Sequence, residues 1–168
     1  MLQIDYQDPE RTSKEIASRF PGAWDALIGL TGTIRGNRAE FYAAHEAVSD
    51  WLVSISRDLE IHRIVSLSIF GADVGSSNEC FASRGEADNR LLASGLKVAI
   101  LRLPMILGPR DYASLALRNK GSARLVFSFR VTSLEQPIAA SDVMKVVESM
   151  IERKLEGCLL YTSPSPRD

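Results

Sequence analysis

Ser68, Cys80 and Arg84 are the residues whose types and spacing best suit chemistry. Ser68 closes an apolar run that starts at Arg63 and leads into Phe70-Gly71-Ala72-Asp73. A hydroxyl at the end of a parallel strand sits where open sheets bind ligands. Its plainer role is to satisfy backbone groups at the strand end. Cys80 and Arg84 are four residues apart, which places both on one face of a helix. A guanidinium beside a thiol favours the thiolate, so a nucleophilic role is open to Cys80. No histidine is visibly placed beside it, and a small, semi-buried residue is the preferred reading. His45 lies in a helical pattern, and His62 precedes a strand and is expected to face solvent. The two cysteines are far apart and give neither a disulfide framework nor metal-ligand spacing.

The elements that must position these groups alternate between strand and helix. Leu2–Asp5 reads as a short strand. Asp8-Pro9-Glu10 opens a helix to about Phe20, because Asp caps, Pro fits the first turn and Glu favours the dipole. Trp24–Leu30 reads as a buried strand. Ala39–Leu59 reads as one long helix with Ala44, Val48, Leu52 and Ile55 on one face. Arg63–Ile69 is the next strand, Arg84–Ser94 a helix stopped by Gly95, and Val98–Leu103 a strand. Ala113–Arg118 reads as a short helix, Arg118–Ser122 as the least structured segment, and Leu125–Phe129 as a strand. Asp142–Arg153 reads as a helix capped by Ser141 or Asp142. Phe41, Trp24, Trp51 and Phe70 read as core rather than as a stacking platform.

Such alternation predicts an α/β fold, a doubly wound parallel sheet with flanking helices. Ligands then sit beyond the carboxyl ends of the strands. Four strand ends carry suggestive residues: Asp5, Thr31-Gly32, Ser68 and Pro104. Gly32 would let the backbone pass close to a ligand. Asp5 is equally well read as a turn aspartate. A net charge of −1 and no basic stripe argue against nucleic acid. No apolar run is long enough to span a membrane, and Asp5 and Asp8 interrupt any signal peptide. A reducing cytoplasm is the default compartment.

The order R-I-V-S-L-S-I-F-G-A-D, then C-F-A-S-R-G-E-A-D-N-R-L-L-A-S-G-L, then K-V-A-I-L-R-L-P-M-I-L-G-P-R-D resembles the second half of the short-chain dehydrogenase/reductase superfamily. The nearest branch is the atypical, extended one, with nucleotide-sugar epimerase/dehydratase-like and complex I accessory-subunit-like members. Gln136-Pro137-Ile138 followed by Asp142-Val143 is similar to that branch's Q-P-V-x-V-x-D-V. The resemblance covers most of Asp5 to Gly157.

The resemblance implies a partial Rossmann-like domain over residues 1–157, with NAD or NADP as cofactor and a small molecule as substrate. By the same analogy a homodimer is among the expected partners. It implies that Asp5 lies near the adenine, that Thr31 and Gly32 pass close to the cofactor, and that Pro104 passes by the nicotinamide. Ser68 would bond the substrate oxygen. The family's Tyr-x-x-x-Lys falls on Cys80 and Arg84. Arg84 can still hold a ribose or phosphate, but a thiol cannot replace the phenol as proton donor. His45 falls where relatives carry an asparagine of a proton relay; it could stand in for it or be a solvated helix residue. Gly29, Gly32 and Gly36 have the general shape of a phosphate turn but not the G-x-x-G-x-x-G spacing of this branch. That run is therefore assigned to the family's fourth strand, and the chain as given is expected to bind dinucleotide weakly or not at all.

Three functions stay open: an oxidoreductase or epimerase, a non-catalytic cofactor-binding regulatory or assembly protein, and a small α/β protein-interaction domain. Residues Cys158–Asp168 read C-L-L-Y-T-S-P-S-P-R-D, which looks like the translation of a sequencing-library adapter. They are set aside from the fold, and the chain is expected to be a fragment that continues before Met1 and past Gly157.

Overall fold

In a computed structural model, residues 8–109, 111–122 and 136–160 are described. Their elements, in chain order, are α1 (Pro9–Arg19), β1 (Leu27–Gly29), α2 (Arg38–Ala44), α3 (Glu46–Asp58), β2 (Arg63–Ile69) and α4 (Glu79–Leu92). Then come β3 (Lys97–Leu103), β4 (Ile106–Leu107), α5 (Tyr112–Gly121), β5 (Ile138–Ala139), α6 (Ala140–Glu152) and β6 (Gly157–Leu160). The main sheet has the order β1-β2-β3-β6 and every pairing in it is parallel. β4 and β5 form a small parallel pair of their own.

Both faces of the sheet are covered, which is what a parallel sheet requires. Side chains alternate along each strand. Ile64 of β2 and Val98 and Ile100 of β3 pack with Val48, Trp51, Leu52 and Ile55 of α3 and Leu91 of α4. Their neighbours Val65, Ala99, Leu101 and Leu103 pack on the other side with Val143, Val147 and Met150 of α6. The continuous apolar runs of β2 and β3 thus follow from burial on two faces. The α/β doubly wound architecture expected from the sequence is the one observed.

Several elements sit where the sequence places them. β2 has the predicted bounds, β3 begins one residue early, and α1 is capped by Asp8, whose Oδ1 accepts from Arg11 N at 2.9 Å. His62 is exposed, while Trp51 and Phe41 are buried.

Others differ for physical reasons. The strand expected over Trp24–Leu30 is only Leu27–Gly29, and it is only partly buried: Gly29 is buried, but Ile28 is 40% exposed and the following Leu30 65%. β1 pairs with β2 on one side, and among the described residues nothing pairs with its other edge. Trp24, expected in the core, is 40% exposed and meets Phe20 edge-on. The long helix over Ala39–Leu59 is two helices that meet at His45, whose φ of −116° and ψ of −66° stray from ideal helical values. α2 starts with a capping box between Asn37 and Glu40.

α4 starts five residues before the predicted Arg84, because Asn78 Oδ1 accepts from Cys80 N at 3.0 Å and caps the helix there. Gly95 follows its end with φ +79°, as a helix-terminating glycine should. α5 runs on through Arg118 to Gly121, so the segment expected to be least structured is mostly helical. α6 starts at Ala140 with no side-chain cap. Ser141 and Asp142 therefore lie inside its first turn instead of capping it. Cys158–Leu160, set aside on sequence grounds, pair with Ile100–Arg102 as part of β6. The strands expected at Leu2–Asp5 and Leu125–Phe129 lie outside the described residues.

Candidate functional site

Parallel strands end together, so β1, β2 and β3 deliver their carboxyl ends to one side of the sheet. A cleft of about 420 Å³ opens there. Thr31, Gly32, Ser68, Arg84 and Pro104 all line it, together with His45. These five sequence-selected residues come from segments up to 73 positions apart (104 − 31) and meet only in the fold. Asp5 lies outside the described residues. Cys80 is not among the residues lining the cleft.

Arg84 is 7% exposed, and its Nη1 donates to the carbonyl of Thr31 at 3.1 Å. Burial holds its pKa below the ordinary arginine value, against the opposing pull of Asp88 and Cys80. Cys80 lies one helical turn away and is buried. Its Sγ is 3.6 Å from the Thr33 carbonyl, which the thiol faces as a weak donor. Burial pushes this thiol's pKa up more than Arg84 pulls it down. The thiolate that nucleophilic chemistry would need is therefore disfavoured.

Ser68 donates its proton to Asp88 Oδ2 at 2.8 Å. With that proton committed, the serine can only accept a hydrogen bond from a ligand. Asp88 is 1% exposed, and the same Oδ2 accepts from Arg102 Nε at 3.2 Å and Nη2 at 3.0 Å. Sequence reasoning passed over Asp88 and Arg102. The signal was present: an acid four residues after Arg84 on α4 lies on the same helix face.

His45 is 2% exposed, so the solvated-helix reading does not hold. Its Nε2 sits 3.2 Å from Thr33 N and 3.0 Å from Thr33 O, accepting from one or donating to the other according to tautomer. Its Nδ1 is buried with no hydrogen-bond partner among the described residues. The ring stacks on Phe41 at 5.9 Å. The hydrogen bond of this ring to the Thr33 backbone ties the segment after β1 to the junction of α2 and α3.

Burial, then the charge of Arg84, lower the pKa of His45 below its ordinary value of 6.5. The folded imidazole therefore takes its proton less readily than the unfolded one. Its contribution to stability is complete above the unfolded pKa and is lost as pH falls through the folded pKa. Urea midpoints should thus drop from pH 7.5 to pH 5, and His45→Gln should flatten part of that drop. Equal slopes for the two proteins would refute the assignment.

Among the described residues, no cluster of His, Cys, Asp and Glu could hold a metal ion, and no helix is long and apolar enough to cross a membrane.

The fold is shared with solved structures of NAD-binding epimerase, dehydratase and reductase enzymes. The Bordetella bronchiseptica enzyme WbmG, solved with NAD and UDP, superposes with a TM-score of 0.74 at 14% identity over 96% of this chain. A dTDP-4-dehydrorhamnose reductase from Clostridium acetobutylicum gives 0.79 at 14% identity, also over 96%. DesIV from Streptomyces venezuelae, a dTDP-glucose 4,6-dehydratase solved with NAD, gives 0.72 at 16% identity over 94%. The chain spans between 56% and 63% of the length of these three proteins. No protein-family model matches the sequence, and no curated protein does.

Proposed function

We propose that this chain is the part of an NAD(P)-binding short-chain dehydrogenase- or epimerase-like protein that holds the nicotinamide end of the cofactor and the substrate. The observation that carries the reading is the meeting of Thr31, Gly32, Ser68, Arg84 and Pro104 around one cleft at the sheet's carboxyl edge. Arg84 would take the place of the family's lysine as the fixed positive charge beside the ribose. Structural neighbours solved with NAD and UDP, and with NAD and UDP-glucose, support a dinucleotide and a small-molecule substrate of the nucleotide-sugar kind. Within this reading the protein acts in the cytoplasm as a homodimer.

A specific pair of contacts favours a second reading, binding without turnover. Cys80 stands where the proton-donating tyrosine is expected, and its thiol is buried against the Thr33 carbonyl. The Ser68 proton is already given to Asp88. Neither group is then placed to protonate or deprotonate a substrate oxygen in the usual way.

A titration of NADH followed by amide NMR tests the proposal. The chain as given lacks the Gly-rich turn whose backbone donors hold the pyrophosphate. No saturable binding is expected in the micromolar range. At millimolar concentration, shifts should appear at Thr31, Gly32, Thr33 and Ser68. Shifts spread evenly over the surface, or none at all, would sink the dinucleotide reading.

A further inference from the structure

We infer that the cleft at the carboxyl ends of β1, β2 and β3 receives an anionic group, a carboxylate or phosphoryl oxygen, on the guanidinium of Arg84. This rests on the reading of the cleft as the reacting end of a dinucleotide site, and it names what the second ligand carries there.

The argument begins with charge. Among the described residues, the three other arginines that are not exposed each have a carboxylate partner. Arg63 has Glu156 at 3.8 Å, Arg90 has Glu46 at 3.0 Å, and Arg102 has Asp88 at 3.0 Å. Arg84 is as buried as Arg63, yet among the described residues its polar partner is only the Thr31 carbonyl. The nearest acid along its own helix, Asp88, attracts Arg84 but bonds Ser68 and Arg102 through Oδ2, and its buried Oδ1 bonds nothing among the described residues. Among the described residues, no aspartate or glutamate lines the cleft. Two guanidiniums, Arg84 and Arg102, thus share the one carboxylate of Asp88, and an arriving anion relieves the cost of the surplus buried positive charge.

The space for such a group is also present. A Cβ placed on Gly32 would lie 3.5 Å from Arg84 Nη1 and 3.7 Å from the His45 ring. These are ordinary contact distances, so packing within the described chain does not require glycine there. Its absent side chain keeps open the volume against the guanidinium. A planar guanidinium presents paired donors that match carboxylate and phosphate oxygens.

His45 adds a reporter. It faces Arg84 and Asp88 from α4, Glu46 from α3 and the Thr33 backbone. An anion on Arg84 cancels the charge that opposes protonation of the imidazole. The His45 titration midpoint must then rise, and by reciprocity the anion must bind more tightly at lower pH.

The test uses NMR of the histidine ring carbons and backbone amides of the full chain. Sodium acetate or sodium phosphate is added at constant ionic strength against chloride. Saturable shifts are expected at His45, Thr31, Gly32 and Thr33, with an upward move of the His45 midpoint. Arg84→Met should weaken binding at least ~10-fold, while Arg84→Lys retains it. Gly32→Val keeps the charge, fills the volume and should also abolish binding, so a folding defect in the arginine variant does not decide the outcome. Tighter acetate than phosphate assigns a carboxylate; the reverse assigns a phosphoryl group. Shifts equal to those in chloride overturn the inference. NADH shifts in the cleft without anion binding reject it alone, whereas anion binding without NADH shifts rejects the dinucleotide reading.

Discussion

Gly85→Ala is expected to destabilise the protein by ~2 kcal/mol, and Gly85→Val by more, although alanine is the better helix former. Gly85 sits inside α4, and a Cβ there would lie 2.6 Å from Val74 N, 2.7 Å from Asp73 C and 2.9 Å from Asp73 Cα. All three are backbone atoms of the turn that follows β2. They cannot swing aside as the end of a flexible side chain could. The helix must move off the turn, or the turn off the sheet. The gain of about 1 kcal/mol in helix propensity is smaller than the overpacking cost.

The effect reaches the cleft because Gly85 adjoins Arg84. A shift of α4 moves the guanidinium away from the Thr31 carbonyl, now 3.1 Å distant. Urea midpoints measure the stability loss, and the Thr31 amide shift reports the displaced arginine. A variant as stable as the wild type would show that α4 and the turn are not packed as described.

Asp88→Ala should cost more, ~3 kcal/mol, by a different route. Deleting the carboxylate leaves Ser68 without the acceptor for its proton and leaves Arg102 without a counter-charge. Breaking one side of a buried pair is costly because the surviving charge stays behind, partly desolvated. Asp88→Asn keeps an acceptor oxygen and should cost less. Combining Asp88→Ala with Arg102→Met should recover part of the loss, since the stranded charge is gone. Additive losses in that double variant would mean that the two residues do not interact. The same experiment bears on function. A Ser68 freed from Asp88 regains a proton to donate into the cleft, so the residue that organises the serine also sets its polarity.

Much of this molecule is legible along the chain. β2 and β3 are recognisable because burial on both faces makes them continuously apolar, and that is a property of the strands' own residues. α1 is recognisable because Asp8, Pro9 and Glu10 act within one turn. The strand-end rule selected Thr31, Gly32, Ser68 and Pro104, and all four line the cleft. The failures share a cause. The junction at His45 is invisible in the apolar periodicity of α2 and α3, because it comes with a contact to Thr33, twelve residues away. The exposure of β1 depends on which strand lies beside it. The early start of α4 was local, with Asn78 as its cap, and could have been found.

By itself the sequence determined the alternation of strands and helices, the parallel sheet and the three strand ends that meet at the cleft. These follow from periodicity, capping and the reach of a few neighbouring residues. Only the tertiary structure decided the chemical state of the groups at those ends. It buried Cys80 against a carbonyl, committed the proton of Ser68 to Asp88 and left Arg84 to share the charge of Asp88 with Arg102. A side chain's proton and charge depend on solvent exclusion and on partners twenty to fifty-three positions away, and packing brings those together.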